Sequence, residues 1–342
     1  MKTMNDLPRK QQGVALLIVM LIMALMTTVA ATMSSRMFVN FNRVESQLRY
    51  QQAYWFALSV EELAEFAIKN SFDDDAAVVL SQPWAVRDQV YPIDEWQVKG
   101  SVYDEQACFN LNGLIDVQAV ENGANPAAVT MLQRLVESQG FDPALAETVA
   151  TSTWEFIDSN DNVQSTAGVE DSEYEARVVP HVTANGLLSD VSEWRTINGV
   201  SEDIYKKVAP FLCANPSNEL KLNINTLEEH DAPLLAAILN PYLSEENAKE
   251  LINSRDPISG WSDINSFLAN AVFSQLKGKE KEAVKKYLGI TSRFFESDIE
   301  ILMEETRLRV RSLLQRNDAG EVNVVRRRFG GKNERNINDT PQ

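Results

Sequence analysis

The sequence predicts an α+β protein with a long N-terminal helix, an antiparallel sheet and a large, mostly helical domain inserted into that sheet. Three observations predict this class. Residues 14–82 contain no Gly or Pro and show helical periodicity over most of their length. Segments with strand periodicity lie on both sides of the middle of the chain. The middle itself, residues 106–288, has mainly helical patterns and contains an internal repeat.

The composition excludes several classes of protein. The 342 residues include 49 acidic and 32 basic side chains, which gives a net charge of −17. This excess of acid argues against a general nucleic-acid binder, because contact with phosphate needs a basic face. Two cysteines cannot support a disulfide-dense scaffold. The chain lacks the common catalytic motifs of metalloproteases, serine hydrolases, dithiol enzymes and phosphate-binding loops, so we do not expect an enzyme.

The N-terminal segment is uncharged from Gln11 to Ser35, a run of 25 residues that is long enough to span a bilayer. Three basic residues and one acid precede it, so the positive-inside rule predicts a cytoplasmic N-terminus and export of the remainder. Three hypotheses fit this pattern: a single-span anchor over residues 14–35, a secretory signal cut near residues 29–31, and a prepilin leader of residues 1–13. The leader would end at Gly13 and be cut before Val14.

Beyond the apolar run, one face of the predicted helix stays apolar, with hydrophobic residues mostly three or four positions apart. A single helix from Val14 to about Asn70 would have 57 residues and a length of roughly 85 Å. Such a stem can stand in a membrane and carry a domain outside it.

Three segments have strand patterns: 96–103, 306–313 and 321–326, with a turn predicted at 317–320. We therefore expect residues 36–105 and 289–329 to form one domain that is interrupted by the helical insert at 106–288. The last residues, 330–342, have the composition of a polar, disordered tail.

The repeat in the insert is short but ordered. Residues 109–114 match residues 222–227 at an offset of 113, and residues 189–191 match residues 262–264 at an offset of 73. If the insert is a duplication, the first copy carries about 40 extra residues. We expect these between Asp158 and Asn185.

Each copy has the pattern of a helix-hairpin-helix unit. In the first copy, residues 188–194 and 201–211 are predicted helices around a tight turn at 197–200, and Ser201 is the predicted N-cap. Such units often bind DNA phosphates. Residues 186–275, however, contain 13 acids and 6 bases, so a packing module is the better interpretation and no nucleic-acid partner is expected.

The extra segment is rich in carboxylate and amide oxygens, which are the ligands that calcium prefers. Its two acidic loops lie at 158–162 and 167–174, and the spacing does not match an EF-hand, because Val163 stands where that motif requires Gly. Chemistry alone leaves two interpretations, a solvated acidic loop and a calcium site. Cys108 and Cys213 also leave two: a disulfide, as expected in an exported chain, or two buried free thiols.

Together these motifs are similar to the protein K family of the general, or type II, secretory pathway, the large minor pseudopilins. The resemblance covers nearly the whole chain. The residues that carry it are Gly13-Val14 before the apolar run, Cys108-Phe-Asn-Leu-Asn112, Trp154-Glu-Phe-Ile-Asp158, Gly168-Val-Glu-Asp171, Asn185, Ser189-Asp-Val191, Leu212-Cys213 and Asn223-Ile-Asn-Thr226.

The resemblance implies a pilin-like stem and sheet, cleavage after Gly13 by the prepilin peptidase, and methylation of the new terminus at Val14. It implies an inner-membrane protein that joins minor pseudopilins I and J, and also H, at the tip of a periplasmic pseudopilus. It also implies calcium in the insert. The ligands that it suggests are Glu170, Asp171, Asp158, Asp161 and Asn185.

One departure from the usual pilin pattern supports a place at the tip. Most pilins carry Glu at the fifth mature position, where this chain has Ile18. A subunit without that carboxylate has one charge contact fewer with a subunit ahead of it. Two other hypotheses remain: a minor pilin that initiates a type IV pilus, and a soluble periplasmic calcium-binding module.

Overall fold

The structure is a computed structural model, and it describes residues 12–72, 77–93, 96–120, 123–303 and 306–330. The predicted leader therefore lies outside the described residues except for its last two positions. The predicted tail lies outside them after Gly330.

The first helix, α1, spans Gln12–Lys69 and has 58 residues, as the sequence predicts. Beyond Gly13 it contains no Gly or Pro that would break its hydrogen bonds. The amide of Asn70 donates to the carbonyl of Phe66, which satisfies a carbonyl in the last turn. The helix is long and apolar enough at its N-terminal end to cross a membrane, and none of that end is buried.

The last third of α1 lies across an antiparallel sheet of five strands in the order β1-β2-β7-β8-β9. The strands are β1 (Gln89–Ile93), β2 (Trp96–Asp104), β7 (Phe294–Met303), β8 (Thr306–Arg316) and β9 (Val322–Phe329). Ala53 and Ala57 are fully buried on α1, and their small side chains let the helix approach Trp96 of β2 and Val310 of β8. Further along α1, the buried Glu61 accepts hydrogen bonds from Arg327 and Ser312.

The three predicted strands are present as β2, β8 and β9, and the predicted turn joins β8 to β9, with Gly320 at a φ of +77°. Two further strands were not predicted. All five residues of β1 are exposed and one is Pro92, so this edge strand has no alternation of apolar and polar residues. In β7 the polar Ser297 and Asp298 are buried, which interrupts the period-2 pattern.

The helical insert lies between β2 and β7, which are hydrogen-bonded neighbours in the sheet. Its α-helices and strands follow in chain order: β3 (Phe109–Asn110), α2 (Ala127–Ser138), α3 (Pro143–Ile157), α4 (Asp171–Glu175), α5 (Glu202–Val208), β4 (Leu212–Cys213), β5 (Leu222–Asn223), α6 (Ala232–Ile238), α7 (Glu245–Ser254), α8 (Ile264–Phe267), α9 (Gly278–Lys285) and β6 (Leu288–Gly289).

Two asparagines show that the insert is built from two copies of one unit. The side chain of Asn112 accepts from the backbone N–H of Leu188 and donates to its carbonyl, at 2.7 and 2.9 Å. Asn225 makes the same pair of bonds with Trp261, at 2.7 and 3.0 Å. The offsets between these residues are the 113 and 73 found in the sequence. The first copy is closed by parallel pairing of β3 with β4, and the second by β5 with β6.

The extra residues of the first copy are distributed differently from the prediction. The C-cap of α3, Asp158, lies 46 residues after Asn112, whereas the C-cap of α7, Arg255, lies 30 residues after Asn225. The residue that the central asparagine binds, Leu188 or Trp261, follows the C-cap by 30 positions in the first copy and by six in the second. Thus 24 extra residues lie in the acidic loop and 16 lie earlier. Ten of these 16 belong to α2 and α3, which are each five residues longer than their counterparts α6 and α7.

A buried carboxylate joins the second copy to the sheet. Asp104, the last residue of β2, accepts hydrogen bonds from the side chains of Asn223, Thr226 and Ser292. Burial raises the pKa of Asp104, and these three donors oppose the rise. The point where the chain leaves the sheet is therefore tied to the point where it returns.

Candidate metal centre

The C-terminal end of α3 places two carboxylates on one side of the helix. Asp142 caps the N-terminus by accepting from the backbone N–H of Ala144, and Pro143 occupies the first helical position. Glu155 and Asp158 lie three residues apart at the other end, so their side chains share a face. Glu155 is fully buried, and Asp158 is 2% exposed.

The loop after α3 folds back over these acids. The backbone N–H groups of Gln164 and Ser165 both donate to Oε1 of Glu155, at 2.9 and 2.7 Å. Asn160 donates to Asp158 through its backbone N–H and its side-chain amide. One oxygen of Glu155 is therefore satisfied by the loop, whereas its Oε2 is buried and has no hydrogen-bond partner among the described residues.

The third carboxylate belongs to Glu170, the N-cap residue of α4. It is 4% exposed, and within the described segments neither of its carboxylate oxygens has a hydrogen-bond partner. Ligand oxygens of Glu155, Asp158 and Glu170 all lie within 4.8 Å of one another. Burial, followed by the charges of Asp158 and Glu155, raises the pKa of Glu170 to about 8.

A cluster of three buried carboxylates, two of which have oxygens without hydrogen-bond partners among the described residues, fits a hard cation. Burying an unpaired charge is costly, and a divalent cation or bound protons can remove that cost. The donors are carboxylate oxygens with amide side chains close by, which is the chemistry that calcium selects. The residues present therefore fit the calcium that the family resemblance implies, and calcium stays a prediction.

The five residues that the sequence suggested as ligands fall into two groups. Glu170 and Asp158 belong to the cluster of three carboxylates. Asp171, by contrast, accepts from the backbone N–H and hydroxyl of Thr183, at 2.8 and 2.6 Å, and these bonds lower its pKa. Asp161 accepts from Asn185 at 2.6 Å.

Asp171 and Asp161 do not belong to the group of mutually close carboxylates, although their charges contribute to the raised pKa of Glu170. Their hydrogen bonds hold the walls of the loop. Glu155 is the cluster member that sequence reasoning missed. Its spacing of three residues from Asp158 on a predicted helix was the available indication.

The two cysteines form the disulfide that was one of the two sequence interpretations. Cys108 and Cys213 are joined across a separation of 105 residues, next to the pairing of β3 with β4. No free cysteine is present among the described residues, or in the chain as a whole, since it has only two. The bond closes the first copy of the repeat, and in the second copy Gly289 takes the position of Cys213 in the strand pair.

The residues of the predicted cleavage site lie in the first turn of α1. A Cβ added to Gly13 meets no atom within 4 Å, so the fold gives no packing reason for Gly at this position. Val14 and Ile18 are both about half exposed on the apolar part of the helix.

Comparison with known families gives a consistent result. Two family models described as "Type II secretion system (T2SS), protein K" match residues 107–217 and 222–291, which are the two copies of the repeat. Type II secretion system protein K of Pectobacterium carotovorum subsp. carotovorum is 32% identical over 327 residues, covering 94% of this chain and 97% of the relative. The protein of the same name from Aeromonas hydrophila is 33% identical over 334 residues, covering 94% and 98%.

A solved structure is also similar. A chain in the crystal structure of the GspK-GspI-GspJ complex from the type 2 secretion system of enterotoxigenic Escherichia coli superimposes with a TM-score of 0.78 and 34% sequence identity. The match covers 85% of this chain and 100% of that chain.

Proposed function

The chain belongs to the type II secretion system protein K family, and we propose that it caps the tip of the periplasmic pseudopilus together with minor pseudopilins I and J. Its family identity makes it a minor pseudopilin of the type II secretion system. The GspK-GspI-GspJ complex supports I and J as its partners. Minor pseudopilin H completes the proposed set.

The size and position of the insert carry the proposal of a tip location. Residues 106–288 emerge between β2 and β7, two adjacent strands of a sheet that α1 crosses. A fibre that repeated this bulk along its shaft would be crowded, because every copy would need the same space. A single copy at the end of the fibre meets no such obstacle.

Counting subunits tests the tip location. Quantitative mass spectrometry of isolated pseudopili should find about one copy of this chain per fibre, and crosslinking should join it to I and J. A copy number that grows with fibre length would contradict a cap.

We propose that the stem inserts in the inner membrane as a single span, with a cytoplasmic N-terminus and a periplasmic remainder. The apolar, unburied first half of α1 and the three basic residues before it support this topology. The prepilin peptidase would cut between Gly13 and Val14. Since the fold does not require Gly13, its presence is better explained by recognition by the peptidase.

The mass and N-terminal sequence of the protein from membranes of cells with the peptidase test the cleavage. A start at N-methylated Val14 is expected. A start near Thr32, or an uncut Met1, would contradict the prepilin leader.

The missing carboxylate at Ile18 fits a subunit with no subunit ahead of it. An unpaired carboxylate inside the membrane is costly, so a tip subunit gains by lacking one. Ile18→Glu should therefore reduce secretion and occupancy of the tip, with Ile22→Gln as a control for polarity at a neighbouring position. If Ile18→Glu leaves both quantities unchanged, the absence of Glu is incidental.

We also propose that calcium occupies the cluster of Glu155, Asp158 and Glu170. When bound, calcium would neutralise buried carboxylates, two of which, Glu155 and Glu170, have oxygens without hydrogen-bond partners among the described residues. The three residues of the cluster also hold the loop and α4 against α3. Asp161, Asp171 and Asn185 are proposed as residues that support the loop or complete the ligand set.

Calorimetry and thermal melting of the full chain in detergent micelles test the site. Calcium should raise the melting temperature of the wild type, and Glu170→Gln should remove most of that rise. Glu173→Gln changes an exposed carboxylate on the same helix and should leave the rise intact. Equal responses of the two variants would show that Glu170 is not a ligand.

A further inference from the structure

The hairpin turn of the first copy is held by residues from the acidic segment. This turn, residues 197–200, joins a 3-10 helix (Val191–Thr196) to α5. Tyr174 of α4 is fully buried, and its hydroxyl accepts a hydrogen bond from the backbone N–H of Asn198 at 3.1 Å. The turn is therefore held by a residue from outside the hairpin.

Arg177 makes a second set of contacts with the same turn. Its guanidinium donates to the carbonyl of Thr196 at 3.0 Å and to the side-chain oxygen of Asn198 at 2.8 Å. The same group lies over the ring of Tyr174, 4.5 Å from its centroid. A planar guanidinium with two hydrogen bonds and a stacked ring is held in one orientation.

One short helix, α4, connects the carboxylate cluster to the contacts with the turn. Glu170 is the N-cap of α4, and Tyr174 lies one helical turn further on. The ring of Tyr174 packs against Phe156, at 5.3 Å between centroids, and Phe156 lies between the two cluster residues of α3. The carbonyl of Phe156 in turn accepts from the backbone of Ala184, where the acidic segment ends.

The position of α4 therefore depends on whether Glu170 can stay buried. With both oxygens unpartnered, the ionised carboxylate favours solvent over the cluster unless a cation is present. Movement of Glu170 toward solvent would carry α4, and with it Tyr174, away from Asn198.

We infer that Tyr174 and Arg177 are positioning residues of the metal centre, which couple the cluster of Glu155, Asp158 and Glu170 to the hairpin turn at 197–200. This inference rests on the calcium site proposed above. Since coupling is reciprocal, calcium should stabilise the turn, and the contacts with the turn should strengthen binding of calcium by the same factor.

Hydrogen exchange of the full chain in detergent micelles tests the coupling directly. With calcium in place of EDTA, exchange should slow at least threefold at residues 196–200 as well as in the acidic segment. The turn of the second copy, near residues 268–277, has no inserted segment and serves as an internal reference. Its exchange should not change.

Two variants test the positioning residues without altering a carboxylate. Tyr174→Phe removes the hydroxyl that Asn198 donates to, and it should weaken the affinity for calcium, measured by calorimetry, by about threefold to tenfold. It should also remove the calcium dependence of exchange at 196–200. Tyr205→Phe, in α5 of the same copy, is the matched control and should change the affinity by less than about twofold.

Arg177→Lys keeps the charge but loses the two-pronged contact, and it should act in the same direction. Its control is Arg195→Lys, which alters an arginine that stacks on Tyr205 instead. If Tyr174→Phe does not fold, this pair and the exchange of the wild type decide the question.

The outcomes separate the inference from the proposal beneath it. Calcium that slows exchange only in the acidic segment, with unchanged affinity in Tyr174→Phe and Arg177→Lys, would overturn the coupling and leave the calcium site standing. Absence of calcium binding to the wild type would overturn both.

Discussion

The two copies of the repeated unit share one architecture and differ in the connection that follows their second long helix, α3 or α7. In the first copy this helix ends at Asp158 and the chain passes through a long acidic loop. In the second copy it ends at Arg255, whose guanidinium donates to the carbonyl of Ile224, and the chain reaches Trp261 after a short turn. The fold of the unit needs only the short connection.

The short connection is closely packed. The side chain of Asp256 accepts from the backbone N–H groups of Ile258 and Ser259, and Gly260 follows with a φ of +63°. A Cβ at Gly260 would approach atoms of Asn225 to 2.7 Å, so only Gly fits. The first copy, by contrast, has three buried carboxylates where its long loop folds back on α3, and the unit does not require them. This difference is the reason for placing the proposed metal centre in the first copy.

The largest expected effect comes from the disulfide, which only the first copy has. Cys108→Ala with Cys213→Ala opens a loop of 105 residues, and the unfolded chain gains entropy worth about 4 to 5 kcal/mol. Urea unfolding of the full chain in micelles measures the loss. Proteolytic fragments should show that the first copy becomes the weaker one, and cleavage that starts in the second copy would contradict this.

The asparagines at the centre of each unit test whether the copies share one architecture. Asn112→Ala and Asn225→Ala each leave buried backbone groups without partners, so each should lower the free energy of unfolding by about 3 kcal/mol. Asn253→Ala, at an exposed position of α7, is the control and should cost less than about 0.5 kcal/mol. A large difference between Asn112→Ala and Asn225→Ala in the free energy of unfolding would contradict a shared architecture of the two copies.

The carboxylate cluster should add a pH dependence to the stability of the first copy when calcium is removed. The pKa of Glu170 is raised from 4.5 to about 8, so the folded state binds this proton more tightly than the unfolded state. Stability in EDTA should therefore fall as the pH rises between these two values, by at most about 1.4 kcal/mol per pH unit.

Melting curves from pH 5 to pH 8 measure this dependence. Glu170→Gln cannot lose a proton at this site, so in EDTA its curve should fall less over this range than the wild-type curve. The remaining fall belongs to other buried acids such as Asp231, whose pKa burial raises to about 6. A curve for the wild type that rises over this range would contradict the account.

The smallest expected difference concerns equivalent N-cap residues. Asp190 caps the 3-10 helix of the first copy and also pairs with Arg328 and Arg326 of β9, whereas Asp263 caps α8 and is exposed. Because Asn caps a helix about as well as Asp, Asp190→Asn should lose only its ion pairs and cost about 1 kcal/mol. Asp263→Asn should cost less than about 0.5 kcal/mol. Equal losses in thermal melts would show that Asp190 does not tie the first copy to the sheet.

Local patterns determined a large part of this protein. The absence of helix breakers after Gly13 determined α1, because a helix needs only an uninterrupted run of compatible residues. Alternation determined β2, β8 and β9, and paired motifs at two offsets revealed the duplication. The likeness to the protein K family followed from these motifs, and the family comparisons confirm it.

Other features depend on contacts between residues that are distant in the sequence. The strands β1 and β7 are stable because their neighbours in the sheet complete their hydrogen bonds, and no local pattern records this. In the same way, the sequence indicated an acidic loop but not which oxygens meet. Glu155, Asp158 and Glu170 come together only because the loop folds back on α3, and only their shared burial leaves oxygens without partners. Burial and the distances between side chains arise from tertiary packing, so only the tertiary structure distinguished the cluster from the other acids of the loop.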